Sequence, residues 1–364
     1  MIAPALALAA LVAGPAVAEP GATTTATATA TATSVVTSAP APRAPEAPRT
    51  ASPEPPSTTR DAEALQWRLS FGGELAGTAH GVVDVGVRFG PWRAQLFTDT
   101  LDLRWGHELG DGRVELGARG QFFAGGMMID PWTAGAPDPA RRRVAAYASV
   151  DGEYVRYLGH GLYARGALTL REWFFVATDT TRIALPDPTF IASPELTLGW
   201  WRPDVELTAT AGADLGQNGA APRARLFFRY TPEARVGPRI ELRAGLAHGQ
   251  DDLTKTRLGG LNPYVVPLAG AAWAELWVER YVALRAGPRA TLGPVELSLV
   301  ADLAWVDDGR RLFGVAALTR VGLDALVSAP WFVEASVGYA PELPRPTDLG
   351  RYGVWVLVGR SWGG

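Results

Sequence analysis

The alternation of apolar and polar residues in the last third of the chain limits the folds open to it more than any other feature. Val295, Leu297, Leu299, Ala301, Leu303 and Trp305 form one row, and Glu296, Ser298 and Asp302 lie on the other. Phe313, Val315, Ala317, Val321 and Leu323 repeat the pattern against Arg320 and Asp324. Trp331, Val333, Ala335, Val337 and Tyr339 repeat it against Glu334, Ser336 and Gly338. Side chains alternate faces along a strand, so each run has one apolar and one polar face. The chain then passes through Tyr352, Val354, Trp355, Val356, Leu357 and Val358 to Trp362, two residues before the last residue given. Successive two-faced strands leading to an aromatic end predict a transmembrane β-barrel, all-β and antiparallel with up-and-down order.

The same rhythm runs upstream. Leu65, Trp67, Leu69 and Phe71 alternate with Gln66, Arg68 and Ser70, and Val83, Val85, Val87 and Phe89 with Asp84, Gly86 and Arg88. Residues 92–105 are strand-like, with a slip of phase near Phe97 that reads as a bulge or a barrel end. Val114, Leu116, Ala118 and Phe122 face away from Arg113, Glu115, Arg119 and Gln121, and the proline-bearing stretch from Met127 to Arg143 reads as a loop. Runs over 144–157 and 162–176 meet at Gly159-His160-Gly161, a short turn. Runs over 189–201 and 203–215 meet at Arg202-Pro203, and runs over 223–235 and 238–247 carry Arg225, Arg229, Arg239, Glu241 and Arg243 on one row. About fifteen such runs are visible, and single-chain bacterial barrels have even strand numbers, so the prediction is about 16 strands, with 14 possible. A row bearing both charge signs would line a water-filled or plugged barrel; on a secreted β-sandwich, which periodicity alone leaves open, it would be the solvated face.

The first 18 residues contain an apolar run and a small-residue end, Ala16-Val17-Ala18, and read as a secretory signal peptide without a basic start. Residues 19–60 are rich in Ala, Thr, Pro and Ser and too poor in apolar groups to offset the entropy of ordering; they read as a disordered linker. The barrel is expected over residues 61–364. The net charge of −3 argues against nucleic acid as a partner, and the absence of cysteine excludes disulfides and thiolate chemistry.

The last part of the sequence resembles the barrel end of the BamA/TamA family, the outer-membrane insertases and two-partner secretion pores. The resemblance begins at Thr256-Arg257-Leu258-Gly259-Gly260-Leu261-Asn262-Pro263-Tyr264, where that family has a Gly-Gly element introducing a long loop folded into the barrel. A strand over 272–281, carrying Glu275, Glu279 and Tyr281, matches a polar-aromatic strand of the family. Trp305-Val306-Asp307-Asp308 resembles its aspartate-bearing strand end, Ala329-Pro330-Trp331-Phe332-Val333-Glu334 its penultimate turn and strand, and Gly359-Arg360-Ser361-Trp362 its terminal signal, to which Trp355 also belongs. The resemblance implies an inward loop marked by Arg257, Gly259, Gly260 and Tyr264, with Arg257 directed at an acidic partner such as Glu275 or Asp302. It departs from the family in two places. No Arg-Gly-Phe/Tyr follows Gly259-Gly260, and the 42 residues from Glu19 to Arg60 are too few and too polar for a POTRA domain.

No catalytic, cofactor or metal site is predicted. His80, His107, His160 and His248 fall outside metal-ligand spacing, and no G-x-S-x-G elbow occurs. Ser149 and His160 are a nominal nucleophile pair that nothing in the sequence brings together, and Asp251-Asp252 and Asp307-Asp308 read as solvated loop pairs. The expected function is non-catalytic: transport or assembly of protein or lipid at the outer membrane. Its expected partners are outer-membrane lipid, the cell's barrel-assembly machinery and a polypeptide or small-solute cargo. The alternatives are a passive diffusion porin, with conductance set by interior charges such as Arg225, Arg229, Arg239, Glu241, Arg243, Glu275, Glu279 and Asp302, and a surface-interaction barrel.

Overall fold

Two residues of opposite character at every second position need a wall with lipid on one side and water or protein on the other, and a closed sheet provides it. In the computed structural model the described residues are 65–362, apart from positions 77, 99, 122–126, 130, 131, 134, 135, 138–142, 177–188, 218, 251–253, 262–265, 272–274, 308, 324–330 and 344–347. The segments read as signal peptide and linker lie outside them. Sixteen strands form the wall: β1 (Gln66–Ala76), β2 (Thr78–Phe89), β3 (Trp92–Phe97), β4 (Thr100–Leu109), β5 (Gly112–Gln121), β6 (Arg143–Gly159), β7 (Leu162–Val176) and β8 (Thr189–Trp201), then β9 (Val205–Gly216), β10 (Gly219–Tyr230), β11 (Val236–Ala247), β12 (Arg280–Leu292), β13 (Val295–Val306), β14 (Arg311–Gly322), β15 (Trp331–Tyr339) and β16 (Tyr352–Trp362). Each pairs antiparallel with its sequence neighbours. β16 returns to β1 in a register from Trp67↔Trp362 to Leu75↔Val354, so the sheet closes and has no free edge. A secreted β-sandwich is thereby excluded.

The apolar row faces outward. Phe71, Leu75, Leu196, Leu198, Leu299 and Val337 are exposed on the outside, while Ser70, Glu74, Thr197, Ser298 and Ser336 on the same strands are buried within. Aromatic side chains gather at the two ends of the outer band, Trp67, Phe89 and Trp92 at one and Phe190, Trp305 and Tyr352 at the other. This is the surface of a membrane-spanning barrel of the outer-membrane type. The two ends also differ in their connections. The end that carries Gln66 and Trp362 is closed by short turns such as 90–91, 110–111, 160–161 and 293–294. The opposite end carries the long connections 122–142, 177–188, 248–279 and 340–351.

Several expectations are corrected. The slip near Phe97 is not a bulge: the chain reverses there in a turn between β3 and β4 on the side of the long connections, with Thr98 at φ 56°. The stretch read as a loop from Met127 contains a short strand, Met127–Ile129, paired with the start of β6. The run placed at 223–235 is a strand at Gly219–Tyr230, because the turn lies at 231–235. The strand expected over 272–281 does not exist as one element. Leu276–Val278 is a short strand of the inserted loop, and the wall resumes only at Arg280.

Candidate functional site: a loop folded into the barrel

The connection between β11 and β12 turns into the lumen instead of away from it. It leaves the wall beside β9 and β10, where the His248 N–H donates to the Pro222 carbonyl at 3.1 Å and Gln250 Nε2 donates to Asp214 Oδ2 at 3.2 Å. Thr256–Leu258 then pairs antiparallel with Leu276–Val278, which makes a small two-stranded stem. Within the stem the Arg257 guanidinium lies 3.3 Å from the centre of the Trp277 ring, and the residue is 1% exposed. A cation over an indole face in a desolvated place is worth about 2 kcal/mol. Gly259 (φ 123°) and Gly260 (φ 96°) follow, in a backbone region that side chains disfavour, and turn the chain into the tip. The Gly259 N–H donates to Val266 O and the Leu268 N–H to Gly260 O, which folds the tip on itself.

The tip packs against the wall on both sides of the β1–β16 closure. Leu258, Val266, Leu268, Ala271, Leu276 and Val278 form one apolar cluster with Tyr281, Ala304, Val306, Leu312, Ala340 and Leu343. Leu261 and Ala269 join a second with Val82, Phe97, Val300, Ala316, Trp355 and Leu357. The inward apolar residues of these strands, which break the polar row, are therefore the seat of the loop. Burying each such leucine contributes about 1.5–3 kcal/mol.

Two carboxylates on the wall fix the tip by its backbone. Glu74 Oε1 of β1 accepts the Leu261 N–H at 2.8 Å. Asp302 Oδ2 of β13 accepts the Ala269 N–H at 2.8 Å, and Arg285 of β12 clamps both oxygens of Asp302 at 2.7 Å each. Asp302, named from sequence, thus takes its guanidinium from Arg285. Wall glycines make room for this approach. A Cβ on Gly314 would stand 2.5 Å from Ala269 O, and one on Gly338 would stand 3.0 Å from Gly270 N. Gly270 itself (φ 77°) sits over the Ala340–Arg351 hydrogen bond that joins the ends of β15 and β16. A Cβ there would come within 2.3 Å of Ala340 N.

The rest of the lumen is an ion-pair wall. Asp102 bonds Arg104 and Arg119 at 3.0 and 2.6 Å, Glu115 meets Arg93, Arg104 and Arg113, and Arg165 meets Glu153 at 2.6 Å. Among the charges named from sequence, Arg225 pairs with Glu195, Arg229 with Glu206 at 2.7 Å, Glu241 with Arg243 at 2.6 Å, and Arg239 approaches Glu296 at 3.9 Å. Glu275 and Glu279 belong to the inserted loop, not to a wall strand; Glu275 is buried, and the Glu279 N–H donates to Asp307. Trp355 faces inward against the loop, Trp362 stands opposite Trp67 in the closure, and Tyr264 lies outside the described residues. Ser149 faces the lumen and His160 occupies the turn at the end of the same strand, so extended backbone holds them about 35 Å apart. Arg285, Glu74 and the wall glycines were not singled out from sequence.

No family model and no curated protein matches the chain. Solved structures do. CdiB from Acinetobacter baumannii superposes with a TM-score of 0.58 at 12% identity, over 82% of this chain and 60% of that one. The fold is that of the CdiB and BamA barrels. BamA from Haemophilus ducreyi lacking POTRA domains 1–3 gives a TM-score of 0.56 at 10% identity over 83% and 71% of the two chains. CdiB from Escherichia coli gives 0.56 at 12% over 82% and 63%. The chain spans about 60% of the length of the CdiB chains it matches, and at these identities the likeness is one of fold.

Proposed function

We propose that the protein is a non-catalytic transport or assembly barrel of the outer membrane, divergent from the BamA and CdiB type, that moves protein or lipid across or into the membrane. The observation that carries this reading is the inserted loop. It is bonded to β1 and packed against β13–β16, so it braces the closure while it occupies the lumen. A barrel built only for passive diffusion needs a constriction, not a loop tied to both sides of its closure. In this reading residues 1–18 direct export, residues 19–60 form a periplasmic spacer, the cell's barrel-assembly machinery inserts residues 61–364, and the end with the short turns and the termini faces the periplasm.

The test compares the intact protein with a variant lacking residues 253–268, both reconstituted in liposomes. The expected result is a low conductance that rises when the loop is removed, together with acceleration of the folding of a second barrel protein by the intact form alone. Equal, steady conductance of both forms would support a diffusion porin instead, and the absence of both conduction and folding assistance in either form would sink the transport reading.

A further inference from the structure

Charge is sorted by exposure at one mouth of the barrel. Arg68, Arg93, Arg113, Arg229 and Arg320 all face the lumen within two residues of a strand end on the side that carries the termini. Each is paired with a carboxylate of the wall, but the members of a pair are not equally accessible. The Arg68 side chain is 44% exposed and its partner Asp84 4%; Arg93 and Arg113 are 47% and 33% exposed over Glu115 at 10%; Arg229 is 43% exposed over Glu206 at 1%. Arg320 follows the same order over Glu334. Glu296 is the exception at this mouth: it is 33% exposed, as much as Arg239 and more than Arg289 at 16%. Deeper in the lumen the sorting vanishes: Arg119 and Asp102 are both 9% exposed, and Arg285 and Asp302 are both almost fully covered.

A solute at this mouth therefore meets these five guanidinium groups, whose own partner carboxylates sit deeper at the wall, and beside them the carboxylates of Glu108 and Glu296. A guanidinium has five N–H donors, and the contacts of Arg68, Arg93, Arg113 and Arg229 with their carboxylates run through one terminal nitrogen, so the exposed side chains keep donors for a second carboxylate. Arg93 and Arg113 share Glu115 with Arg104, and the exposed Glu108 stands opposite Arg113 across the β4–β5 pairing. Exposed guanidinium groups concentrate anions at an opening and steer them inward.

We propose that this arginine collar is a receiving site for cargo and that the cargo is an acidic, extended polypeptide segment. The assignment to polypeptide rests on the transport reading above; the collar itself rests only on the exposure pattern.

The experiment measures binding of a fluorescent oligoglutamate peptide to the full chain in detergent micelles, by anisotropy, against an uncharged peptide of equal length. The variant carries R68Q, R93Q and R229Q, and its fold is checked by the gel shift between unheated and boiled samples. Binding of oligoglutamate that exceeds the uncharged control, weakens with salt and falls by about tenfold in the variant is expected, since three partly exposed pairs at about 0.5 kcal/mol each amount to that factor. Equal affinity of the two peptides, or no loss in a variant that keeps its gel shift, would overturn the collar. Tripolyphosphate binding more tightly than oligoglutamate would overturn the polypeptide assignment. The assay involves no transport, so a failed liposome experiment with an intact collar would count against the transport reading alone.

Discussion

Asp302 does two things with one carboxylate: it neutralises Arg285 and it holds the backbone of Ala269. Removing one member of a buried pair leaves the other uncompensated, at a cost of about 3–5 kcal/mol, whereas removing both avoids that penalty. Asp302→Ala should therefore lower the unfolding midpoint in lipid vesicles by more than Asp302→Ala with Arg285→Ala does, and both should raise conductance because both lose the tie to the loop. A double variant no more stable than the single one would show that Arg285 has another neutralising partner. Gly270 supplies a second lever. Its φ of 77° and the absence of space beside Ala340 mean that Gly270→Val must push the tip off the wall. Conductance should rise with the sixteen-stranded wall intact, and an unchanged conductance would show that the loop accommodates the side chain by sliding.

At the level of the strand, the period of two decides where a charge is tolerated. Leu299 faces outward at mid-strand and its neighbour Ser298 faces the lumen. Leu299→Arg should cost about 2–4 kcal/mol in vesicle folding titrations, as a charge in lipid does near the midplane, and Ser298→Arg far less; similar costs would mean that β13 does not meet lipid. This same period is why the wall was legible in the sequence, whereas the inserted loop is expected only through the family resemblance. Alternation specifies a face without any knowledge of partners, so β13 to β16 could be read directly. The hairpin of β3 and β4 was missed because Thr98-Asp99 lacks the glycine or proline that marks a turn. Ala271, Leu276 and Val278 are apolar because they are buried inside the lumen, and burial rather than position in a wall sets these residues. The inward loop at Gly259 and Gly260 is implied by the resemblance to the Gly-Gly element of the BamA/TamA family, not by the period. Glu74, Arg285 and Gly314 are single inward residues on ordinary strands, and only the packed loop gives them a role.

The molecule as a whole has two unlike ends, and its orientation decides which one cargo meets first. The end with the termini has the short turns and the exposed arginines; the other has the long connections, including the one that folds inward. Short turns on the periplasmic side and longer loops outside are the rule for such barrels. The chain contains no cysteine, so a single introduced thiol reports its position without a background. Asp111→Cys lies in the turn between β4 and β5 at the terminus end, and Gln217→Cys lies between β9 and β10 at the other. In intact cells a membrane-impermeant maleimide should label Gln217→Cys and spare Asp111→Cys, and after the outer membrane is permeabilised it should label both. The reverse pattern would put the arginine collar on the cell surface. The collar would then be a receptor for acidic chains arriving from outside, and the inserted loop would bar import instead of export.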